Sequence, residues 1–257
     1  MGKGCFVLTM EEVVKLQWLD DGIAFVTMED RASKNRSSPQ FTSGIEMAFR
    51  AITHNANARV VVITGYDNYF CCGGTRNELV LLASQQAKFT DFRFYDQLLR
   101  CELPVVAAMQ GHAIGGGLVF GAYADVLVMA EECIYSANFM HFGIPPGVGA
   151  TWILPRKFGP TIGWEMLFNA KNYYGGELRT RGAGPNFAKK AEVVSLALTL
   201  AREIADKPVF ALRQLKRSFY ESVRQEYAAA IERELRIQTV AFANPEILTR
   251  IQGLYRD

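Results

Sequence analysis

The chain has 257 residues, of which 49% are hydrophobic and 21% charged, with a formal net charge of +2; this suits a globular protein that buries its own core as one domain, or as one domain with a helical appendage. Neither that charge nor a sequence pI near 8.2 gives the electrostatic footprint of a nucleic-acid binder, and no run of about twenty apolar residues free of charge marks a membrane span. The five cysteines, Cys5, Cys71, Cys72, Cys101 and Cys133, are odd in number and lack metal-ligand spacing, and the N-terminus carries Glu11 and Glu12 but no long apolar core, so a cytoplasmic, non-secreted protein is expected.

Val13 to Trp18 and Ile23 to Met28 are rich in β-branched and aromatic residues and flank Asp20-Asp21-Gly22, which predicts a hairpin. Ser38-Pro39 offers an N-cap and a first-turn proline for a helix ending near His54, with Phe41, Ile45, Ala48 and Ile52 at helical spacing. The apolar runs at Arg59 to Thr64, Val105 to Met109 and around Val126 have strand length, with helical material between them, and predict a parallel, buried sheet. Beyond Pro145-Pro146-Gly147 the patterns are helical, over Thr161 to Ala170, Lys189 to Ala205, Pro208 to Tyr220 and Ser222 to Ala241. Gly175 to Phe187 reads as a polar, glycine-rich loop and hinge, dividing a core of residues 1–187 from a helical region of 188–257.

Gly115-Gly116-Gly117 leads from a strand into an apolar helix. Missing side chains at a helix start leave unpaired N–H groups accessible at the positive end of the helix dipole, where an oxygen acceptor can sit; the alternative is that the glycines serve close packing alone. A second glycine site, Phe70-Cys71-Cys72-Gly73-Gly74-Thr75, also follows a strand, about 40 residues earlier. Together with AAMQGHAIGGG and PPGVGAT (Pro145 to Thr151), the pair resembles the crotonase (enoyl-CoA hydratase/isomerase) superfamily along essentially the whole chain.

The resemblance implies an α/β fold, a spiral of ββα units with C-terminal helices that assemble trimers or dimers of trimers. It also implies an oxyanion hole for a thioester carbonyl, whose amides fall by motif position on Cys72 and Gly116. The two catalytic glutamates of hydratases are replaced here by Val119 and Phe139, which argues against activating water for addition to a double bond. A pocket that stabilises an enolate without carboxylate bases suits decarboxylation, which needs an electron sink and later a proton donor.

Within the superfamily, TGYDNYF (Thr64 to Phe70), KFTD (Lys88 to Asp91), ANFM (Ala137 to Met140) and IQGLY (Ile251 to Tyr255) look most like the 3-methylglutaconyl thioester decarboxylases of polyketide β-branching cassettes. That resemblance implies an acyl carrier protein partner, no metal or redox cofactor, and Lys88 as the acid that protonates the dienolate. The family's histidine on a C-terminal helix is matched by Gln238, which can hydrogen-bond a carboxylate but cannot titrate. Phe139, Met140 and His141 should line the pocket with Val119, whereas Tyr95 and Tyr255 read as packing or interface residues. His54 and His112 read as structural, and the Cys71 and Cys72 side chains as packing. Glu232, Arg233, Glu234 and Arg236 read as a solvated helical face, and Lys216 and Arg217 as cations that could meet a carrier protein. Dehydration of a 3-hydroxy-3-methylglutaryl thioester, isomerisation or hydration of a CoA thioester, and thioester binding without turnover remain the alternatives.

Overall fold

A computed structural model of the chain describes residues 7–10 and 13–255; Cys5, Glu11 and Glu12 lie outside the described residues. Eleven strands are found among these, β1 (Val7–Met10), β2 (Val14–Trp18), β3 (Ile23–Met28), β4 (Val60–Thr64), β5 (Tyr69–Cys71), β6 (Val105–Met109), β7 (His112–Ile114), β8 (Val126–Ala130), β9 (Ile134–Ser136), β10 (Tyr173–Tyr174) and β11 (Asn186–Ala188). They form a seven-stranded sheet, β1-β2-β3-β4-β6-β8-β11, and a four-stranded sheet, β10-β9-β7-β5. The β2–β3 hairpin is antiparallel, pairing Val14 with Met28, and from β3 onward the large sheet is parallel.

Helices are α1 (Pro39–His54), α2 (Arg76–Ala83), α3 (Gln97–Arg100), α4 (Gly116–Ala122), α5 (Ala150–Phe158), α6 (Pro160–Asn169), α7 (Gly175–Thr180), α8 (Val193–Ala205), α9 (Val209–Ala241) and α10 (Pro245–Leu254). The order β4-β5-α2, then β6-β7-α4, then β8-β9-α5, makes successive turns of a ββα spiral, each turn placing one strand in each sheet. Every residue of β4 and β6 is buried, as the uninterrupted apolar runs require of strands covered on both faces. The Ser38 hydroxyl accepts from the Phe41 N–H and caps α1, with Pro39 in its first turn.

Gly175 to Phe187 is not a hinge loop. It carries α7 and the start of β11, which pairs Asn186 with Val128 and Phe187 with Met129 at the edge of the large sheet. A boundary at residue 187 therefore cuts an edge strand, and α8, beyond it, packs on β4, β6 and β8 as part of the core. The helices expected over Pro208 to Tyr220 and Ser222 to Ala241 are one 33-residue helix, α9. It contains no glycine or proline to break it, and the Ser222 hydroxyl turns back on the Phe219 carbonyl at 2.7 Å.

Candidate active site

Because β5 and β7 are parallel neighbours, the two glycine segments that follow them lie back to back. A Cβ on Gly117 would stand 2.0 Å from the Cys71 carbonyl oxygen. One on Gly73, whose φ is +79°, would stand 2.7 Å from the Ile114 carbonyl oxygen. Only glycine permits both approaches. A cavity of about 630 Å³ opens over this junction, walled by Leu82, Phe89, Phe92, Phe139, Phe142 and Ile144 and reaching Cys72, Gly73, Gly74, Gly115 and Gly116.

The first expected oxyanion amide moves. The Cys72 N–H donates to the Lys34 carbonyl at 3.2 Å and is not available to a ligand. Lys34 and Asn35, with φ of +57° and +53°, form a left-handed turn that brings this carbonyl in. By contrast, the Gly74 and Gly116 N–H groups, both on the cavity wall, have no hydrogen-bond partner among the described residues. A Cβ on Gly116 would meet Tyr95, 2.7 Å from Cε1, so the phenol ring packs directly on this amide. The geometry thus offers Gly74 and Gly116 as the donor pair, in place of Cys72 and Gly116.

Polar side chains not expected from sequence also stand in the cavity wall, among them Arg36, Glu78, Tyr95 and Tyr255. Asn35 positions the first of these, its Nδ2 donating to the Met28 and Phe70 carbonyls at 3.1 and 2.8 Å and so pinning the Arg36–Ser37 segment against β5. The Arg36 guanidinium lies 5.1 Å over the Tyr255 ring, and its buried Nε has no hydrogen-bond partner. Glu78 sits in the first turn of α2 in a reciprocal cap with Thr75, whose N–H donates to Oε2 at 2.7 Å. The Ser37 hydroxyl donates to the same Oε2. Burial raises the Glu78 pKa despite these bonds, which pull it down. Tyr95 is pushed well above the usual phenol range by burial, and the Cys72 thiol up to about 11 for the same reason. The Tyr255 hydroxyl donates to the Gly74 carbonyl at 2.7 Å, tying the end of α10 to the glycine segment.

Of the expected pocket residues, Phe139, His141 and Gln238 line the cavity and Met140 and Val119 do not. Gln238 is buried on α9 and its Nε2 donates to the Pro145 carbonyl at 2.9 Å; a Cβ at Gly147 would close to 2.6 Å of that nitrogen. His141 is exposed at the rim beside Phe142, and Met140 faces solvent. Val119 is wholly buried within α4, so the apolar wall comes from the phenylalanines instead. Lys88 is also misplaced by the expectation. It is exposed just before the short helical turn Phe89–Asp91, with its N–H donating to Asp91 Oδ2 at 2.8 Å, and only its neighbour Phe89 reaches the cavity.

Other charges are structural. Lys216 is buried, its Nζ 2.7 Å from both carboxylate oxygens of Asp125, and so cannot meet a carrier protein; Arg217 is exposed and pairs with Glu221. Glu234 is not on a solvated face but buried, accepting from the Gly149 N–H at 2.7 Å and from Thr151 N–H and hydroxyl at 2.8 and 2.6 Å. His112 accepts from the Ile134 N–H at 2.9 Å, and burial lowers its pKa. His54 is the exposed last residue of α1, its Nδ1 2.7 Å from the Arg50 carbonyl oxygen.

The model of the enoyl-CoA hydratase/isomerase family matches residues 19–256. The chain belongs to that family. It is 42% identical over 243 residues, covering 95% of its length and 98% of the relative's, to the bacillaene synthase decarboxylase PksI of Bacillus subtilis (strain 168). Among solved structures it is similar to one from a dehydratase/decarboxylase enzyme couple involved in polyketide beta-branching, with TM-score 0.95 and 41% identity over 98% of this chain and 100% of that one. The decarboxylase domain of CurF from Lyngbya majuscula follows, with TM-score 0.89 and 35% identity over 95% and 99%. These enoyl-CoA hydratase/isomerase relatives with decarboxylase names align over nearly their whole lengths, so the cavity, the glycine junction and the C-terminal helices all fall within the matched region.

Proposed function

We propose that the chain is a decarboxylase that converts a 3-methylglutaconyl thioester, carried on the phosphopantetheine arm of an acyl carrier protein, to the 3-methylcrotonyl thioester. The observation that carries this reading is the pair of unclaimed amides, Gly74 and Gly116, on the wall of a cavity that several phenylalanines also line. With the thioester oxygen between them, the electron pair left by departing carbon dioxide delocalises onto an oxygen that both N–H groups stabilise. Such donors are worth roughly 3–4 kcal/mol of barrier each, and they need no rearrangement as charge develops.

Arg36, with its unsatisfied buried Nε, is the group suited to hold the substrate carboxylate until it leaves. The aromatic wall of Phe89, Phe92, Phe139 and Phe142 keeps water from that carboxylate and from the carbanion. Gln238 fixes the Pro145 turn and lines the acyl path. Carbon dioxide loss of this kind calls for no metal or redox cofactor. The exposed apolar side chains Phe210, Leu215, Phe219, Ile237 and Val240 of α9, and Trp164 and Phe168 of α6, support a trimer as the working form. The test is intact-mass analysis of 3-methylglutaconyl-carrier protein with the enzyme. Loss of one carbon dioxide supports the reading; an acyl chain that stays intact contradicts it and favours binding without turnover.

A further inference from the structure

With Lys88 outside the cavity and Gln238 unable to titrate, the dienolate still needs a proton. The acidic groups on the cavity wall are few. The Cys72 thiol and the Tyr95 phenol hold their protons too tightly to be good acids at neutral pH, and Lys171 is exposed and paired with Glu177 at 3.2 Å. His141 sits at the solvent rim. Glu78 is the buried exception. Its Oε2 takes the Ser37 hydroxyl and the Thr75 N–H and hydroxyl, whereas Oε1 has no partner among the described residues. A Cβ on Gly74 would lie 3.5 Å from Oε2, so the carboxyl group adjoins the amide assigned to the thioester oxygen.

We propose that Glu78 is the acid that protonates the dienolate after carbon dioxide departs. The inference rests on the decarboxylase reading. The bond from the acyl chain to the carboxylate carbon breaks, its electron pair enters the dienolate, and a carbon of the dienolate forms its new C–H bond with the Glu78 proton. Glu78 is left as a carboxylate, which solvent reprotonates, so that one substrate carboxylate and one proton become carbon dioxide and product.

Charge favours this order of events. A bound substrate carboxylate disfavours a second anion nearby, so substrate binding shifts Glu78 further toward its protonated form, in the same direction as its burial. Once carbon dioxide leaves, the dienolate is the base and the proton can move. The Ser37 hydroxyl holds the Glu78 carboxyl on one side of the site, and the Tyr95 phenol packs against Gly116 on the other. The groups that face Glu78 are Ser37 from the loop before α1, Thr75 at the start of α2, Tyr95, and the Cys71 thiol at the end of β5.

The test compares wild type, Glu78→Gln and Ser37→Ala on 3-methylglutaconyl-carrier protein in D2O, reading rate, product isomer and deuterium content from neutral to alkaline pH. Wild type should give one isomer with one deuterium, and its rate should fall as pH rises and Glu78 ionises. Glu78→Gln keeps the reciprocal cap that glutamine also makes; it should lose about 10²-fold or more in rate, give mixed isomers and lose the alkaline fall. Ser37→Ala removes a donor to the carboxylate, so the alkaline fall should move to higher pH. If wild type decarboxylates and Glu78→Gln matches its rate, isomer and pH profile, the assignment of Glu78 is wrong and the decarboxylase reading stands. If wild type releases no carbon dioxide, that reading itself fails. Should Glu78→Gln not fold, an unmoved alkaline limb in Ser37→Ala overturns the assignment.

Discussion

One hydrogen bond separates the Cys72 amide from the Gly74 amide, and it decides which of them can hold an oxyanion. Cys72→Ala keeps the N–H on the Lys34 carbonyl and should decarboxylate at close to the wild-type rate. Gly74→Pro deletes an N–H on the cavity wall and should slow turnover about 10²–10³-fold at saturating substrate, with a near-native melting temperature as the check on folding. Lys88→Ala should be near wild type, because its side chain is exposed; a large loss of rate would show that Lys88 reaches the substrate. Gly116, Phe139, His141 and Gln238 were legible as cavity residues only through the family resemblance, which assigns them by motif position. Glu78 and Arg36 were not. A glutamate three residues after a threonine reads as a helix cap, which Glu78 also is, and only the left-handed turn at Lys34 and Asn35 brings Arg36 and Ser37 alongside it.

At the scale of elements, α9 does two things that its charged sequence conceals. Through Glu234 it caps α5, satisfying the N–H groups of Gly149 and Thr151 from 85 and 83 residues away. Glu234→Ala should cost about 2–4 kcal/mol, the loss of a cap together with stranded buried donors, read by denaturant unfolding. Through Lys216 it neutralises Asp125, which also accepts from the Val105 N–H at 2.8 Å and so ties α9 to the start of β6. The strands β4, β6 and β8 and the helix α1 were readable from apolar runs and a capping serine. Residues Gly175 to Phe187 misled because a short helix and a three-residue edge strand leave too little periodicity to outweigh their glycines. The signal for β11 lies in its partner, β8, not in its own residues.

For the molecule as a whole, the C-terminal region does more than decorate the spiral. Helix α10 packs on α2, and Leu254 and Tyr255 complete the cavity wall above Gly74. The apolar residues of α6 and α9 are exposed in the single chain; the proposed trimer predicts that sedimentation at micromolar concentration finds trimers or their dimers, and a stable monomer would count against that assembly. Among the described residues the cavity wall holds a single carboxyl group, Glu78, in place of the pair that hydration uses. The most direct measurement is therefore intact-mass analysis of the wild-type enzyme offered three thioesters separately, 3-methylglutaconyl-carrier protein, 3-hydroxy-3-methylglutaryl-carrier protein and crotonyl-CoA. Loss of carbon dioxide from the first, with the second not dehydrated and the third not hydrated, is the predicted result. Dehydration of the second or hydration of the third, with the first left intact, would contradict it.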